Sequence, residues 1–191
     1  MSITALIAAT ALLAGPVPAT APTPLTCQGQ SVDQTAKISY RNEIFVKASV
    51  STVWKLQTDV KNWPRWQQPV ATIERLDRGR LRPGSAFRWT TPVPATPSTP
   101  ATTLVITSTI HQLKHNQCLR WSGPAIGDGL RIDRGVHVWT FERVPGGTLV
   151  RTEETWTGPQ VESMPDLSRQ FLAQGLDTWL TDLKTTAEQG R

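Results

Sequence analysis

Hydrophobic and polar residues alternate along two adjacent stretches of this chain, residues 135–144 and residues 147–158. Strict alternation is typical of a strand that buries one face, and the Pro145-Gly146 pair between the stretches is a turn signal. The pattern therefore predicts a β-hairpin.

A two-residue loop at Pro145-Gly146 would fix which residues of this hairpin face each other, because the numbers of each facing pair then add up to the same sum. The facing pairs would be His137 with Glu154, Trp139 with Thr152 and Phe141 with Val150. Directly opposed residues share a face of the sheet, so this register places an imidazole beside a carboxyl among aromatic rings. A three-residue loop would shift the register by one and separate that pair, and the sequence leaves both loops open.

The pattern elsewhere predicts a strand, two short helices, four more strands, the hairpin and a long C-terminal helix. Ser163 is expected to cap that helix, whose apolar residues recur at helical spacing from Leu167 to Leu183. Loops are predicted over residues 92–100, which hold four prolines, and over residues 123–134. This order of elements predicts an α+β protein with an antiparallel sheet and helices on one side. The predicted strands outside the hairpin are residues 37–47, 70–76, 85–90, 102–110 and 118–122.

The N-terminal part of the chain predicts export. Residues 3–14 are largely apolar, no charged residue precedes Asp33, and Ala19-Thr20-Ala21 matches the small-residue pattern of a signal-peptidase site. Residues 1–21 are therefore predicted to be a signal peptide and the mature protein to be secreted or periplasmic, whereas an uncleaved chain would be cytoplasmic. The apolar run is too short to anchor the mature protein stably in a membrane.

Two further segments follow the predicted signal peptide. Residues 22–36 show no periodicity and are predicted to be a flexible lead-in, and residues 37–189 are long enough for a single domain with its own core. Cys27 lies in the lead-in and Cys118 in the domain. An oxidising compartment would allow a disulfide between them without requiring one.

Composition and charge narrow the function. The formal net charge is +5, but basic residues are scattered, and the one cluster, residues 75–82, is interrupted by Asp77 and Gly79 in a predicted turn, so nucleic-acid binding is not expected. The eight Trp residues instead indicate aromatic walls around a cavity or a core. There is no phosphate-binding glycine loop, dinucleotide fingerprint or nucleophile elbow, and His111 and His115 have no evident third metal ligand. Neither a cofactor nor a metal is predicted, and nothing in the sequence specifies an oligomeric state.

Three stretches of the chain resemble one protein superfamily: EIFVKASVSTVWKLQTDVKNWPRW (residues 43–66), HVWTFERVPGGTLVRTEETWTG (137–158) and LDTWLTDLK (176–184). They are similar to the SRPBCC superfamily of START-like proteins, in its polyketide cyclase/dehydrase and lipid-transport branch. The resemblance covers residues 37–188. It implies a helix-grip fold, in which a curved seven-stranded antiparallel sheet wraps around the C-terminal helix and leaves an apolar cavity between them. Members bind lipids, sterols, polyketides or hormones, and some catalyse cyclisation or dehydration.

The resemblance and the hairpin together lead to two hypotheses. In the first, the protein binds a small hydrophobic molecule, such as a polyketide, a lipid or an aromatic metabolite, and His137 and Glu154 form a structural hydrogen-bonded pair. In the second, the protein is a cyclase or dehydrase in which His137 acts as base, Glu154 orients it and Tyr40 donates a hydrogen bond to a ligand carbonyl. Both hypotheses expect aromatic residues around the ligand. The candidates are Trp63, Phe87, Trp89, Trp121 and Trp139.

Overall fold

A computed structural model describes residues 23–96 and 99–190 of the chain, so the predicted signal peptide over residues 1–21 lies outside the described residues. The strands are β1 (Thr26–Cys27), β2 (Gln30–Ser31), β3 (Ile38–Val46), β4 (Thr72–Arg75), β5 (Ala86–Val93), β6 (Thr102–Lys114), β7 (Cys118–Gly127), β8 (Leu130–Val144) and β9 (Gly147–Thr157). The helices are α1 (Val50–Thr58), a 3₁₀ helix (Val60–Arg65), α2 (Pro159–Glu162) and α3 (Pro165–Gln189).

Seven of these strands form one antiparallel sheet in the order β3-β9-β8-β7-β6-β5-β4. Strand β3 forms one edge and pairs with the last strand, β9, while β4 forms the other edge. Helix α1 and the 3₁₀ helix connect the two edges, and α3 packs along β3 after the chain has left β9. This architecture confirms the predicted α+β helix-grip fold with its seven-stranded antiparallel sheet, long C-terminal helix and two short helices after the first strand.

The β8–β9 hairpin has the two-residue loop that the alternation suggested. Val144 pairs with Gly147, which leaves Pro145 and Gly146 as the loop, and Gly146 adopts a φ of 82° that glycine tolerates best. The register therefore pairs His137 with Glu154. The three-residue alternative is excluded.

Two predicted loops are partly strand. Strand β7 continues to Gly127 and β8 begins at Leu130, so the prediction of a loop over residues 123–134 is wrong. A register shift between Gly123 and Ala125 interrupts the alternation there, and a Cβ at Gly123 would lie 1.7 Å from the carbonyl oxygen of Thr107. The sequence pattern therefore did not indicate a strand here, because the bulge breaks the alternation.

Residues 92–93, at the start of the proline-rich segment, also belong to a strand, β5. The pairing of β5 with β4 ends at Thr90, so Pro92 lies beyond the partner strand. Because Pro92 has no partner in β4, the missing backbone N–H of the proline breaks no hydrogen bond with that strand. Sheets tolerate proline at such positions.

The N-terminal segment packs against the outer face of the sheet. Strands β1 and β2 pair with each other, and a disulfide joins Cys27 to Cys118 at the start of β7. The expectation of a loose lead-in over residues 22–36 therefore needs correction for residues 25–32. Their apolar side chains cover outward-facing valines of β8 that would otherwise meet water. The members of this cluster are Leu25, Cys27, Val32, Cys118, Val136 and Val138.

Helix α3 begins at Pro165, with Met164 rather than Ser163 at the capping position. The hydroxyl of Ser163 instead donates to the carbonyl oxygen of Gln160 in α2. Within the described part of the chain, no helix has both the length and the apolar character needed to span a bilayer.

The interface between the sheet and α3 has two ends. At the filled end, α1 and the 3₁₀ helix close over the sheet and the C-terminal half of α3. Its buried residues include Val53, Trp54, Trp63, Phe87, Trp139, Phe141, Leu180 and Leu183. At the hollow end, the N-terminal half of α3 and helix α2 face the sheet. Its buried residues are Ile38, Leu104, Ala125, Ile132, Val161, Leu172 and Leu176.

Candidate functional site

A cavity of about 350 Å³ lies at the hollow end, between the inner face of the sheet and helix α3. Strands β5 to β9 form one side and helices α2 and α3 the other, and Pro94, Thr96 and Thr99 of the proline-rich segment also line the cavity. The walls are mainly apolar, so the cavity suits a small hydrophobic molecule. Large side chains that line it include Trp89, Trp121, Ile132, Trp156, Leu172 and Trp179.

Two of the five predicted ligand-binding residues, Trp89 and Trp121, line this cavity. The other three, Trp63, Phe87 and Trp139, are 0% exposed and do not line it. They belong to the filled end, where Trp63 stands edge-on to Phe87 at 5.3 Å between ring centroids. Alternation identified Phe87 and Trp139 as inward-facing, but it carries no information on which end of the sheet is filled, and Trp63 lies on the 3₁₀ helix rather than in a strand.

Two cavity tryptophans, Trp156 and Trp179, were not among the predicted ligand-binding residues. Trp156 belongs to the inward face of β9, and Trp179 to the apolar stripe of α3. The helical spacing of Trp179 with Leu172 and Leu176 was the available signal, because it sets all three on the face that meets the sheet.

The predicted His137–Glu154 pair forms at the inner wall of the cavity. Nδ1 of His137 lies 3.1 Å from Oε2 of Glu154, and its Nε2 lies 2.6 Å from Oγ1 of Thr152. The imidazole is only 2% exposed and packs against Trp121 and Trp139, with ring centroids 4.7 and 5.0 Å away. Both ring nitrogens of His137 thus have protein partners.

Glu154 offers a polar atom to the cavity more directly than His137 does. Its side chain remains 17% exposed and lines the cavity, and its Oε1 accepts a hydrogen bond from Nε1 of Trp156 at 2.9 Å. Gly135 leaves room for this oxygen, since a Cβ there would lie 3.1 Å from Oε1. A carboxylate oxygen has two lone pairs, so Oε1 can accept a second hydrogen bond from a ligand.

Burial shifts both members of the pair toward their uncharged forms. Desolvation raises the pKa of Glu154 to about 7, although the hydrogen bond from Trp156 opposes that shift. Desolvation also lowers the pKa of His137 well below its ordinary value of 6.5. The imidazole is therefore neutral at neutral pH, while Glu154 titrates near pH 7.

The hydrogen bonds of His137 accommodate both protonation states of Glu154. With the carboxylate ionised, Thr152 donates to Nε2 and the Nδ1–H donates to Oε2. With the carboxyl protonated, Oε2–H donates to Nδ1 and the Nε2–H donates to Thr152. The imidazole changes tautomer but stays neutral and hydrogen-bonded, so a bound ligand can select either state of Glu154.

Tyr40, the predicted carbonyl donor, is not brought to the cavity. It lies opposite Glu154 in the β3–β9 ladder, but its hydroxyl donates to Oδ1 of Asp177 on α3 at 2.9 Å. Burial and this carboxylate raise the pKa of Tyr40 above its ordinary value. The hydroxyl therefore links β3 to α3.

The two histidines with helical metal-ligand spacing have other partners. Nε2 of His111 lies 2.7 Å from Oγ of Ser122, and the ring of His115 stands edge-on to Trp54. Across residues 23–96 and 99–190, no group of three or more His, Cys, Asp or Glu side chains could hold a metal ion.

Comparison with known proteins places these features in a wider context. The family described as polyketide cyclase / dehydrase and lipid transport matches residues 37–188. No curated protein sequence matches the chain.

Solved structures share the fold at low sequence identity. A hypothetical protein of Helicobacter pylori has a TM-score of 0.64 at 14% identity, covering 87% of this chain and 99% of its own. A START superfamily protein of Mycobacterium smegmatis has a TM-score of 0.62 at 16% identity, with 80% and 99% covered. The di-domain ARO/CYC protein StfQ of the steffimycin biosynthetic pathway has a TM-score of 0.60 at 16% identity, with 80% and 51% covered. At such identities the likeness concerns the fold alone.

Proposed function

The chain belongs to the polyketide cyclase / dehydrase and lipid transport family, and from this premise we propose that it binds a small hydrophobic molecule in the cavity between the sheet and α3. A polyketide, a lipid or an aromatic metabolite would fit this description. The observation that supports the proposal most is the cavity itself, about 350 Å³ beside a core that is otherwise closely packed.

The energy available from burial is sufficient for such a function. Removing about 300 Å² of apolar ligand surface from water at about 25 cal/mol per Å² contributes roughly 7 kcal/mol before the entropic cost of association. The apolar walls formed by Trp89, Trp121 and Trp156 can supply contacts of this kind. Few polar contacts are then needed for useful affinity.

The alternative function, acid–base catalysis of cyclisation or dehydration, receives less support from the geometry. His137 has no unpartnered ring nitrogen with which to take a proton from a ligand, and the hydroxyl of Tyr40 is held by Asp177. The family description and the ARO/CYC neighbour remain compatible with it. Of the predicted catalytic groups, Glu154 is the one that the geometry leaves available for chemistry.

Native mass spectrometry after exposure to a lipid and metabolite extract of the source organism tests the proposal. Ala125→Phe places a ring in the cavity, because Ala125 lines it on β7. Ile126→Phe is the matched control, since Ile126 is the next residue and is 44% exposed on the other face.

We expect the wild type and Ile126→Phe to retain the same unmodified ligand and Ala125→Phe to lose it. A wild type that retains nothing, or an Ala125→Phe variant that retains as much as the wild type, would contradict ligand binding in this cavity. A released compound whose mass is absent from the starting extract would instead favour catalysis.

We also propose that the chain is exported after removal of residues 1–21. The disulfide between Cys27 and Cys118 supports this proposal, because such bonds persist mainly in oxidising compartments. Intact-mass analysis of the protein recovered from cell fractions is expected to find an oxidised chain that begins at Pro22 outside the cytoplasm. A full-length, reduced chain in the cytoplasm would contradict export.

A further inference from the structure

The described residues that line the cavity include one carboxyl group and no Lys or Arg side chain. Among the described residues that line it, Glu154 and His137 are the ones that can ionise near neutral pH, and none is Lys or Arg. His137 is neutral, because burial lowers its pKa. The electrostatic character of the cavity therefore depends on one carboxyl group.

None of the described side chains that contact Glu154 is a Lys or Arg. Strand β8 contributes His137, strand β3 contributes Tyr40, and the Tyr40 hydroxyl donates to Asp177 on α3. Glu162, the last residue of α2, accepts the backbone N–H of Gly158 and pairs with the exposed Lys37 at 3.2 Å. Asp177 is exposed, and among the described residues no Lys or Arg side chain is hydrogen-bonded or ion-paired with Glu154.

Aromatic rings complete the surroundings of this carboxyl. Trp156 donates to it directly, and Trp121, Trp179 and Trp89 line the same cavity. Indole faces attract organic cations, and a carboxylate in a desolvated site forms short charge-assisted hydrogen bonds with ammonium groups. An anionic ligand would find no positive side chain here.

We propose that the ligand of this cavity is a hydrophobic amine, whose ammonium group donates to Glu154 while its apolar body lies against the tryptophans. This inference rests on the proposed ligand-binding function and names its chemical class. The hydrogen bonds from Glu154 through His137 to Thr152 are compatible with it, because every one of them can be kept when Glu154 is ionised.

Three probes share a naphthyl group and differ in their polar group, so they separate cationic, neutral and anionic ligands. They are 2-naphthylmethylamine, 2-naphthylmethanol and 2-naphthoic acid. Calorimetric titration of the full protein at pH 8 is expected to give at least about tenfold tighter binding of the amine than of the alcohol, and the weakest binding for the acid. For the amine, affinity should rise about tenfold from pH 6 to pH 8, as a carboxyl with a pKa of about 7 ionises. The alcohol should show no such rise.

Glu154→Gln supplies the decisive variant. It keeps the size of the side chain but removes its charge, so we expect the amine preference and its pH dependence to disappear while the alcohol still binds. Glu142→Gln is the matched control, because it removes the same charge from an exposed position on β8 where Glu142 pairs with Arg151. It should retain the amine preference.

Two outcomes would overturn the inference while leaving ligand binding intact. One is equal or tighter binding of the alcohol or the acid by the wild type. The other is an amine preference that survives in Glu154→Gln. Failure of all three probes to bind at millimolar concentration would overturn both this inference and the proposed function.

Discussion

The filled and hollow ends of the interface are built from the same sheet and the same helix, yet one is solid and the other encloses a ligand-sized space. At the filled end, Trp63 of the 3₁₀ helix contacts Phe87 and Trp179 edge-on, with ring centroids 5.3 and 5.0 Å apart. At the hollow end, the small residues Gly123 and Ala125 of β7 line the cavity. Aromatic residues occur at both ends and do not distinguish them. What distinguishes the hollow end is the small side chains on its strands.

The difference shows that abundant tryptophan does not by itself locate a ligand site. Ring-to-ring packing at the filled end stabilises the fold, and the same residue type at the hollow end forms a wall. The two ends should therefore respond differently to substitution.

The largest difference is expected from truncating an aromatic residue at each end. Trp63→Ala should lower the free energy of unfolding by about 3–5 kcal/mol, because the side chain is fully buried and Nε1 donates to the carbonyl of Gln57. Phe171→Ala should cost only about 1 kcal/mol, since Phe171 is half-buried and already borders the cavity. Urea unfolding of both variants measures the contrast, and equal losses would contradict the division into two ends.

The second prediction concerns the disulfide on the outer face, which lies behind the sheet and outside both ends. Replacing Cys27 and Cys118 together by Ser should lower the free energy of unfolding by about 2–4 kcal/mol, because the bond closes a long loop in the unfolded chain. Probe affinity at a temperature where the variant is folded should not change. A folded variant with lost affinity would show that the cavity depends on the outer face.

The third prediction uses the opposite pKa shifts of the pair at the hollow end. In the window just below pH 6.5, the folded pair holds one proton on Glu154, and the unfolded pair takes one up on His137. Since the two states bind equal numbers of protons, the contribution of the pair to stability is flat in this window.

Glu154→Gln removes this balance, because only the unfolded state then takes up a proton as the pH falls through the ordinary pKa of His137, 6.5. The variant should lose about 1 kcal/mol more than the wild type between pH 6.5 and pH 5.5, as urea unfolding at the two pH values would show. Parallel behaviour of the two proteins would mean that His137 is not held neutral by burial.

The smallest effect is expected at Gly175, a cavity-lining glycine inside α3. A Cβ there meets no atom within 4 Å, so Gly175→Ala should stabilise the protein by about 0.5–1 kcal/mol through helix propensity. At the start of β9, Gly147→Ala should destabilise it, because a Cβ would lie 2.1 Å from the carbonyl oxygen of Val46. Thermal unfolding compares the two, and a destabilised Gly175→Ala would show that the space is occupied.

Sequence patterns predicted the hairpin and its His137–Glu154 pair because both follow from local rules, alternation and a two-residue turn. They missed the packing of β1 and β2, since two-residue strands have no period and the disulfide joins cysteines 91 residues apart. The engagement of Tyr40 by Asp177 likewise links residues from distant parts of the chain.

Local patterns also do not show which inward-facing residues line the cavity and which lie in the filled core. Trp89 and Trp139 both occupy inward positions, yet Trp89 lines the cavity and Trp139 lies in the filled core. The two residues differ because different helices lie above each part of the sheet. Periodicity along a strand does not show where those helices lie.

A crystal structure of the protein grown with saturating 2-naphthylmethylamine at pH 8 tests the central claim most directly, that the hollow end is the ligand site. We predict density for the naphthyl ring against Trp121 and Trp179, with the amine nitrogen about 2.8 Å from a carboxylate oxygen of Glu154. The filled end should be unchanged. An empty cavity, or a ring bound only elsewhere on the protein, would contradict the account.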